Sequence, residues 1–261
     1  MNVKDFRLKK ENNQKVSMIT CYDYTFAKII DKTDFDCILV GDSASMVMHG
    51  YPSTLYADLE MMILATKAVT KGTDKFVIGD MPFPANRSGV ESAMKAVDAF
   101  VKAGAHAVKV EGVPGNEDII KHIVNSGVPV MGHIGLTPQS VNALGGYSVQ
   151  GKKSKKAKQI IDEAKQLEDL GCFGMVLECI PTELAKTITK SVSISTIGIG
   201  AGPHTDGQVV VLQDMLGMNQ ELKPKFLRYY LNGFELIKDA VNQCHNDILD
   251  SNYPSKDESY G

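Results

Sequence analysis

The 261-residue chain has no apolar run near the ~20 residues that would span a bilayer. Its first ten residues, Met1 to Lys10, have no apolar core, so they cannot serve as a secretory signal. Basic residues are not in excess. Lys and Arg number 28 against 31 Asp and Glu, and a net charge of −3 gives no field to draw in nucleic acid or an anionic membrane. The five cysteines are odd in number. Cys21, Cys37, Cys172 and Cys179 lie inside apolar runs without zinc spacing, which reads as reduced, structural and cytoplasmic. There is no solenoid repeat and no interdomain linker, so residues 1–261 read as one domain, with a polar tail that frays from about 247.

What the chain does have is one design repeated. Cys37-Ile38-Leu39-Val40 runs into Gly41-Asp42-Ser43, and Phe76-Val77-Ile78 into Gly79-Asp80. Ala107-Val108-Lys109-Val110 ends at Glu111-Gly112, Val130-Met131 at Gly132-His133, Met175-Val176-Leu177 at Glu178, and Ile197 opens Gly198-Ile199-Gly200-Ala201-Gly202. Continuous Ile, Leu and Val suit strands of a parallel sheet buried on both faces. Further strands are expected over 16–23 and 209–212. Helices are expected over 24–33, 58–69, 89–103, 116–126, 155–170 and 224–241, and the segment 203–207 is too short to hold one. Alternating strands and helices of this length predict a single (β/α)8 barrel. A doubly wound open sheet is the alternative, but it would concentrate its polar strand ends at one switch point. In a barrel they all converge on one mouth.

Asp42, Asp80, Glu111 and Glu178 would share that mouth. Four carboxylates poorly reached by water need compensation, and a hard divalent cation with oxygen ligands supplies it. Magnesium suits one or two carboxylates plus water and substrate better than calcium does, and the lack of a His/Cys cluster argues against zinc and copper. The blander reading is that each acid caps a helix or pairs with a base. Lys109, two residues from Glu111 on one strand face, is either its partner or an anchor for an anionic substrate. Glu178 has no charged neighbour in sequence and reads as a usable general base, or as half of a salt bridge to another strand. His133 stands alone, more a hydrogen-bonding support than a catalyst. The run Lys152-Lys153-Ser154-Lys155-Lys156-Ala157-Lys158 reads as a solvated helix start, or as attraction for a polyanionic tail.

Taken in order, these segments, with Gly132-His133-Ile134-Gly135-Leu136-Thr137-Pro138-Gln139 and Val176-Leu177-Glu178-Cys179-Ile180-Pro181, closely resemble the ketopantoate hydroxymethyltransferase family over nearly the whole chain. The resemblance implies a barrel of the phosphoenolpyruvate/pyruvate type. It also implies transfer of a hydroxymethyl group from 5,10-methylenetetrahydrofolate to 3-methyl-2-oxobutanoate, giving 2-dehydropantoate in the first step of pantothenate biosynthesis. By motif, Asp42 and Asp80 would bind magnesium, with Glu111 in or just behind the metal shell. Asp42, Ser43, Asp80 and Lys109 would hold the oxo acid, and Glu178 would be the proton acceptor. A homo-oligomer, typically a decamer, goes with the family. The chain departs from the pattern at Ala44-Ser45, at Thr54 to Asp58, and at Pro84-Ala85-Asn86, where small residues and a tyrosine are usual. A lyase or mutase of the isocitrate lyase and phosphoenolpyruvate mutase type would use the same metal logic, but its cysteine-centred loop is absent. An inactive binder of oxo acid or folate would not need the intact acid set.

Overall fold

A computed structural model describes residues 1–220 and 224–261. Eight parallel strands close into a barrel in sequence order. They are β1 (Val16–Thr20), β2 (Cys37–Val40), β3 (Phe76–Asp80), β4 (Ala107–Glu111), β5 (Val130–Gly135), β6 (Gly174–Glu178), β7 (Ser195–Ile199) and β8 (Gly207–Val210). The ladder from Val16↔Gly207 to Ile19↔Val210 joins β8 back to β1, which rules out the open sheet. The helices are α1 (Val3–Glu11), α2 (Tyr24–Asp31), α3 (Ala44–Val47), α4 (Leu59–Thr70), α5 (Val90–Lys102), α6 (Glu117–Asn125), α7 (Val141–Leu144), α8 (Ser154–Asp169), α9 (Thr182–Ser191), α10 (Leu212–Met215) and α11 (Gly233–Leu249). No helix intervenes between β7 and β8, as the short connection predicts. No described helix is long and apolar enough to cross a membrane.

The chain falls into two compact units, Met1–Val211 and Leu212–Gly261. The first holds the whole barrel. Its inner core is built from alternate strand residues: Val16 and Met18, Cys37 and Leu39, Phe76 and Ile78, Ala107, Met131, Val176, Ile197 and Val209. Outward-facing strand positions meet helices. A Cβ on Gly79 would lie 2.3 Å from the Phe100 ring, so glycine there lets α5 lie close against β3.

Several elements differ from expectation. The last strand runs Gly207–Val210 rather than over 209–212, and Leu212 opens α10 instead. The N-terminal residues form α1, capped by Asn2 and Asp5 reciprocally. Phe6 is its one buried residue, and its ring packs edge-on to Phe76 and Phe173 at 5.7 and 5.0 Å. A helix that buries a single side chain leaves almost no periodic signal. In the second unit, the helix expected from Pro224 begins only at Gly233. The Tyr230 and Gly233 amides instead donate to Met215 and Leu216 at 2.8 Å each, which ties the intervening chain to the end of α10. The polar stretch from Asp247 opens inside α11, and a short 3₁₀ turn follows at Lys256–Glu258.

Candidate active site

The alternation that builds the core continues upward into charge. Phe76 and Ile78 are followed on the same face by Asp80, Ala107 by Lys109 and Glu111, Met131 by His133, and Val176 by Glu178. Register then sets the neighbours, because Asp80 lies opposite Lys109 and Glu111 opposite His133. Lys109 Nζ reaches Asp80 Oδ1 at 2.6 Å and Glu111 Oε1 at 3.3 Å. His133 Nδ1 lies 3.0 Å from the same Glu111 oxygen. Asp42 comes from the loop beyond β2. Its amide donates to Asp80 Oδ2 at 3.2 Å, and its own Oδ2 accepts from Gln139 Nε2 at 2.9 Å. Ser43 sits beside it, with Oγ 2.8 Å from the Tyr22 hydroxyl oxygen.

The expected residues therefore meet at one end of the barrel. Asp42, Asp80 and Glu111 are all buried, and each offers an oxygen within 4.8 Å of the others, so the group could hold a metal ion. The electrostatics suit a cation. Burial, then Asp80 and Glu111, pushes the Asp42 carboxyl well above the usual range. Burial works against the Lys109 ammonium, but Asp80, Glu111 and Asp42 outweigh it and hold the proton more firmly than on an ordinary lysine. Burial also opposes Glu111 ionisation, yet Lys109 and His133, with hydrogen bonds from His133 and Gln139, bring its pKa to about 2. The raised Asp42 and Asp80 carboxyls mark acids crowded together out of reach of water, a strain that a hard cation between them would relieve.

His133 and Glu178 meet, the pairing to another strand that the sequence left open for Glu178. The imidazole bridges them to the acidic group, with Nε2 3.2 Å from Glu178 Oε2, close enough for an ion pair but off hydrogen-bond alignment. Burial favours the neutral ring, but Glu111 raises the His133 pKa from 6.5 to about 9. The stability this provides is complete below pH 6.5 and is lost as pH climbs through 9. Urea unfolding of the metal-free protein should thus weaken by up to about 3 kcal/mol across that window. His133→Gln should flatten the loss.

The strand end carrying Glu178 is fixed from both sides. Gly135 has φ +98°, and a Cβ there would lie 2.3 Å from the Glu178 carbonyl oxygen. That oxygen accepts from the Leu136 amide at 2.9 Å. Cys179 follows in the left-handed region at φ 47°, and burial, with Glu178 beside it, lifts its thiol to about 12. It is no ready nucleophile.

Three buried amides were missed by the sequence reading. Asn116 donates to the Glu111 and Gly112 carbonyls at 2.9 and 3.2 Å. Gln139 touches Asp42 and, through its backbone, Glu111, and Asn86 donates to Gln139 at 3.3 Å. Only the proline turn before Gln139 flagged that loop. Beyond it lies a cavity of about 530 Å³ lined by Phe83, Arg87, Ile134, Gln139, Leu144 and Lys156, among others. The other lysines of the basic run are exposed at and around the start of α8, as a solvated helix end requires.

Known proteins with this architecture include phosphonopyruvate hydrolase (TM-score 0.63, 12% identity, 99% of this chain and 93% of that one). A 2,3-dimethylmalate lyase of the phosphoenolpyruvate mutase/isocitrate lyase superfamily superposes with a TM-score of 0.58 at 13% identity, over 97% of this chain and 87% of that one. At such identities the likeness speaks for the barrel alone. Sequence goes further. The chain is 57% identical over 257 residues to a 3-methyl-2-oxobutanoate hydroxymethyltransferase of Bdellovibrio bacteriovorus, covering 98% of each. It is 54% identical over 260 residues to one from Francisella tularensis subsp. novicida, covering 99% of this chain and 98% of that one. The ketopantoate hydroxymethyltransferase family model spans residues 1–256. With the barrel closed, the acidic group assembled and the match running almost end to end, the chain belongs to the ketopantoate hydroxymethyltransferase family.

Proposed function

We propose that the chain transfers a hydroxymethyl group from 5,10-methylenetetrahydrofolate to 3-methyl-2-oxobutanoate, the first step of pantothenate biosynthesis. The observation that carries this is the convergence of Asp42, Asp80, Glu111, Lys109 and Glu178 on one barrel mouth. Asp42 and Asp80 would hold magnesium directly. Glu111 accepts from Lys109, His133 and the Gln139 amide, which suits a place behind the metal, reached through water. Bound there, the ion would supply Lewis-acid stabilisation of the charge that develops on the keto oxygen.

The remaining chemistry belongs to side chains. The substrate's third carbon is flanked by two methyl groups and a ketone, so its proton is held tightly in water. Glu178, the more open of the carboxylates with its side chain 18% exposed, takes that proton. His133 holds Glu178 from behind and presents it to the mouth. Lys109, kept cationic by its neighbours, neutralises the substrate carboxylate, and Ser43 adds a hydroxyl from the same loop as Asp42. The carbanion then bonds to the folate methylene carbon, both of whose C–N bonds break; the two nitrogens take up the C3 proton and one from water, and the water oxygen becomes the product's hydroxyl. The adjoining cavity, apolar at Phe83 and Leu144 and polar at Arg87, Lys156 and Glu163, would take the body of that donor. A homo-oligomer, by family pattern a decamer, completes the reading.

Exchange of the C3 proton of 3-methyl-2-oxobutanoate in deuterium oxide tests the scheme. It should require magnesium and proceed without folate. Exchange that needs folate, or ignores magnesium removal, would overturn it.

A further inference from the structure

Asp80 and Glu111 are held by their strands, but Asp42 stands on a loop two residues beyond β2. Something else must fix its carboxylate. Gln139 is 3% exposed and donates through Nε2 to Asp42 Oδ2 at 2.9 Å and to the Met81 carbonyl at 2.9 Å. Its backbone amide donates to Glu111 Oε2 at 3.0 Å. One residue thus links Asp42, Glu111 and the exit of β3.

A primary amide can present either end. Turned over, Gln139 would set its carbonyl oxygen against the Asp42 carboxylate, acceptor facing acceptor. Asn86 opposes that rotation by donating Nδ2 to Gln139 Oε1 at 3.3 Å. Asn86 is fully buried, and its own Oδ1 has no hydrogen-bond partner. Leaving that oxygen unpaired is costly, so the side chain earns its place through Nδ2.

We propose that Gln139 is a positioning residue for the metal-binding carboxylates and that Asn86 acts through it by fixing the sense of its amide. The inference rests on the magnesium reading above. Partners of this kind behind a metal shell typically contribute 10- to 100-fold to metal affinity. Calorimetric titration of magnesium into the metal-stripped protein, beside metal-free melting, provides the test. Gln139→Met keeps length and the backbone bond to Glu111 but loses the donor, and should weaken magnesium by about 10- to 100-fold. Asn86→Leu should weaken it less, while metal-free melting stays close to wild type, because leucine removes one unpaired buried oxygen, Asn86 Oδ1, as it leaves another, Gln139 Oε1. The double variant should bind no more weakly than Gln139→Met alone. Additive losses, or unchanged magnesium affinity in Gln139→Met, would overturn the proposal while leaving the metal site standing. A wild type that takes up no magnesium would overturn the metal reading and this inference with it.

Discussion

Replacing Glu178 by glutamine should stop exchange of the C3 proton while leaving the oxo acid bound. Glutamine keeps the shape but cannot accept a proton at neutral pH. The expected loss in exchange rate and turnover is about 10²- to 10⁴-fold, the usual contribution of a positioned base. The oxo-acid dissociation constant should hold within a few-fold, because Asp42, Asp80 and Lys109 are untouched. The pairing of Glu178 with His133 makes the prediction specific. His133 is 1% exposed and pinned to Glu111, so it cannot swing out to act as base in place of Glu178. Exchange at the normal rate in the glutamine variant would assign the proton to another group.

The second large effect concerns Lys109. It is 3% exposed and lies between Asp80 and Glu111, so Lys109→Met removes the one ammonium from a buried cluster of carboxylates. Breaking such a pair from one side typically costs about 3–5 kcal/mol, because the remaining charges stay buried and unpaired. The pH dependence fixes the cause. Burial and mutual repulsion already raise Asp42 and Asp80 with Lys109 in place, and its loss raises the cluster further, so the carboxylates contribute stability when protonated and lose it as pH rises. The variant should therefore be closer to wild type near pH 5 than at pH 8. Magnesium should restore part of the loss by returning positive charge to the same place. Oxo-acid binding should not recover, since the substrate carboxylate still lacks its partner. A variant as stable as wild type at every pH would mean the cluster does not carry the charge assigned to it.

How much of this could be read beforehand depends on distance along the chain. Asp80, Lys109, Glu111, His133 and Glu178 announce themselves because a strand points alternate residues to one side, and each continues an inward row that begins with an apolar residue. Their convergence follows from closing the barrel. Asp42 is legible for a different reason: it stands just past the end of an apolar strand, where a glycine turns the chain over the barrel mouth. Gln139 is not. It contacts Asp42 across 97 residues, from a turn whose sequence says only that a proline is there. Asn86 is harder still, since its hydrogen bond goes to Gln139 and not to the acidic group itself. The sequence allowed Glu178 a salt bridge to another strand but could not name His133 as its partner, because nothing local joins β5 to β6. Their contact depends on adjacent strands in register, with Gly135 opposite Glu178. In the fold, α1 escaped notice because one phenylalanine carries its burial, and the helix expected from Pro224 gave way to backbone bonds with α10.

Magnesium titration of the metal-stripped chain, beside Asp42→Ala and Asp80→Ala, bears most directly on the central idea that carboxylates from separate segments share one hard cation. The wild type should take up magnesium at a single site and both variants should lose it, together with their affinity for the oxo acid. Undiminished uptake in either variant, or none in the wild type, would contradict it.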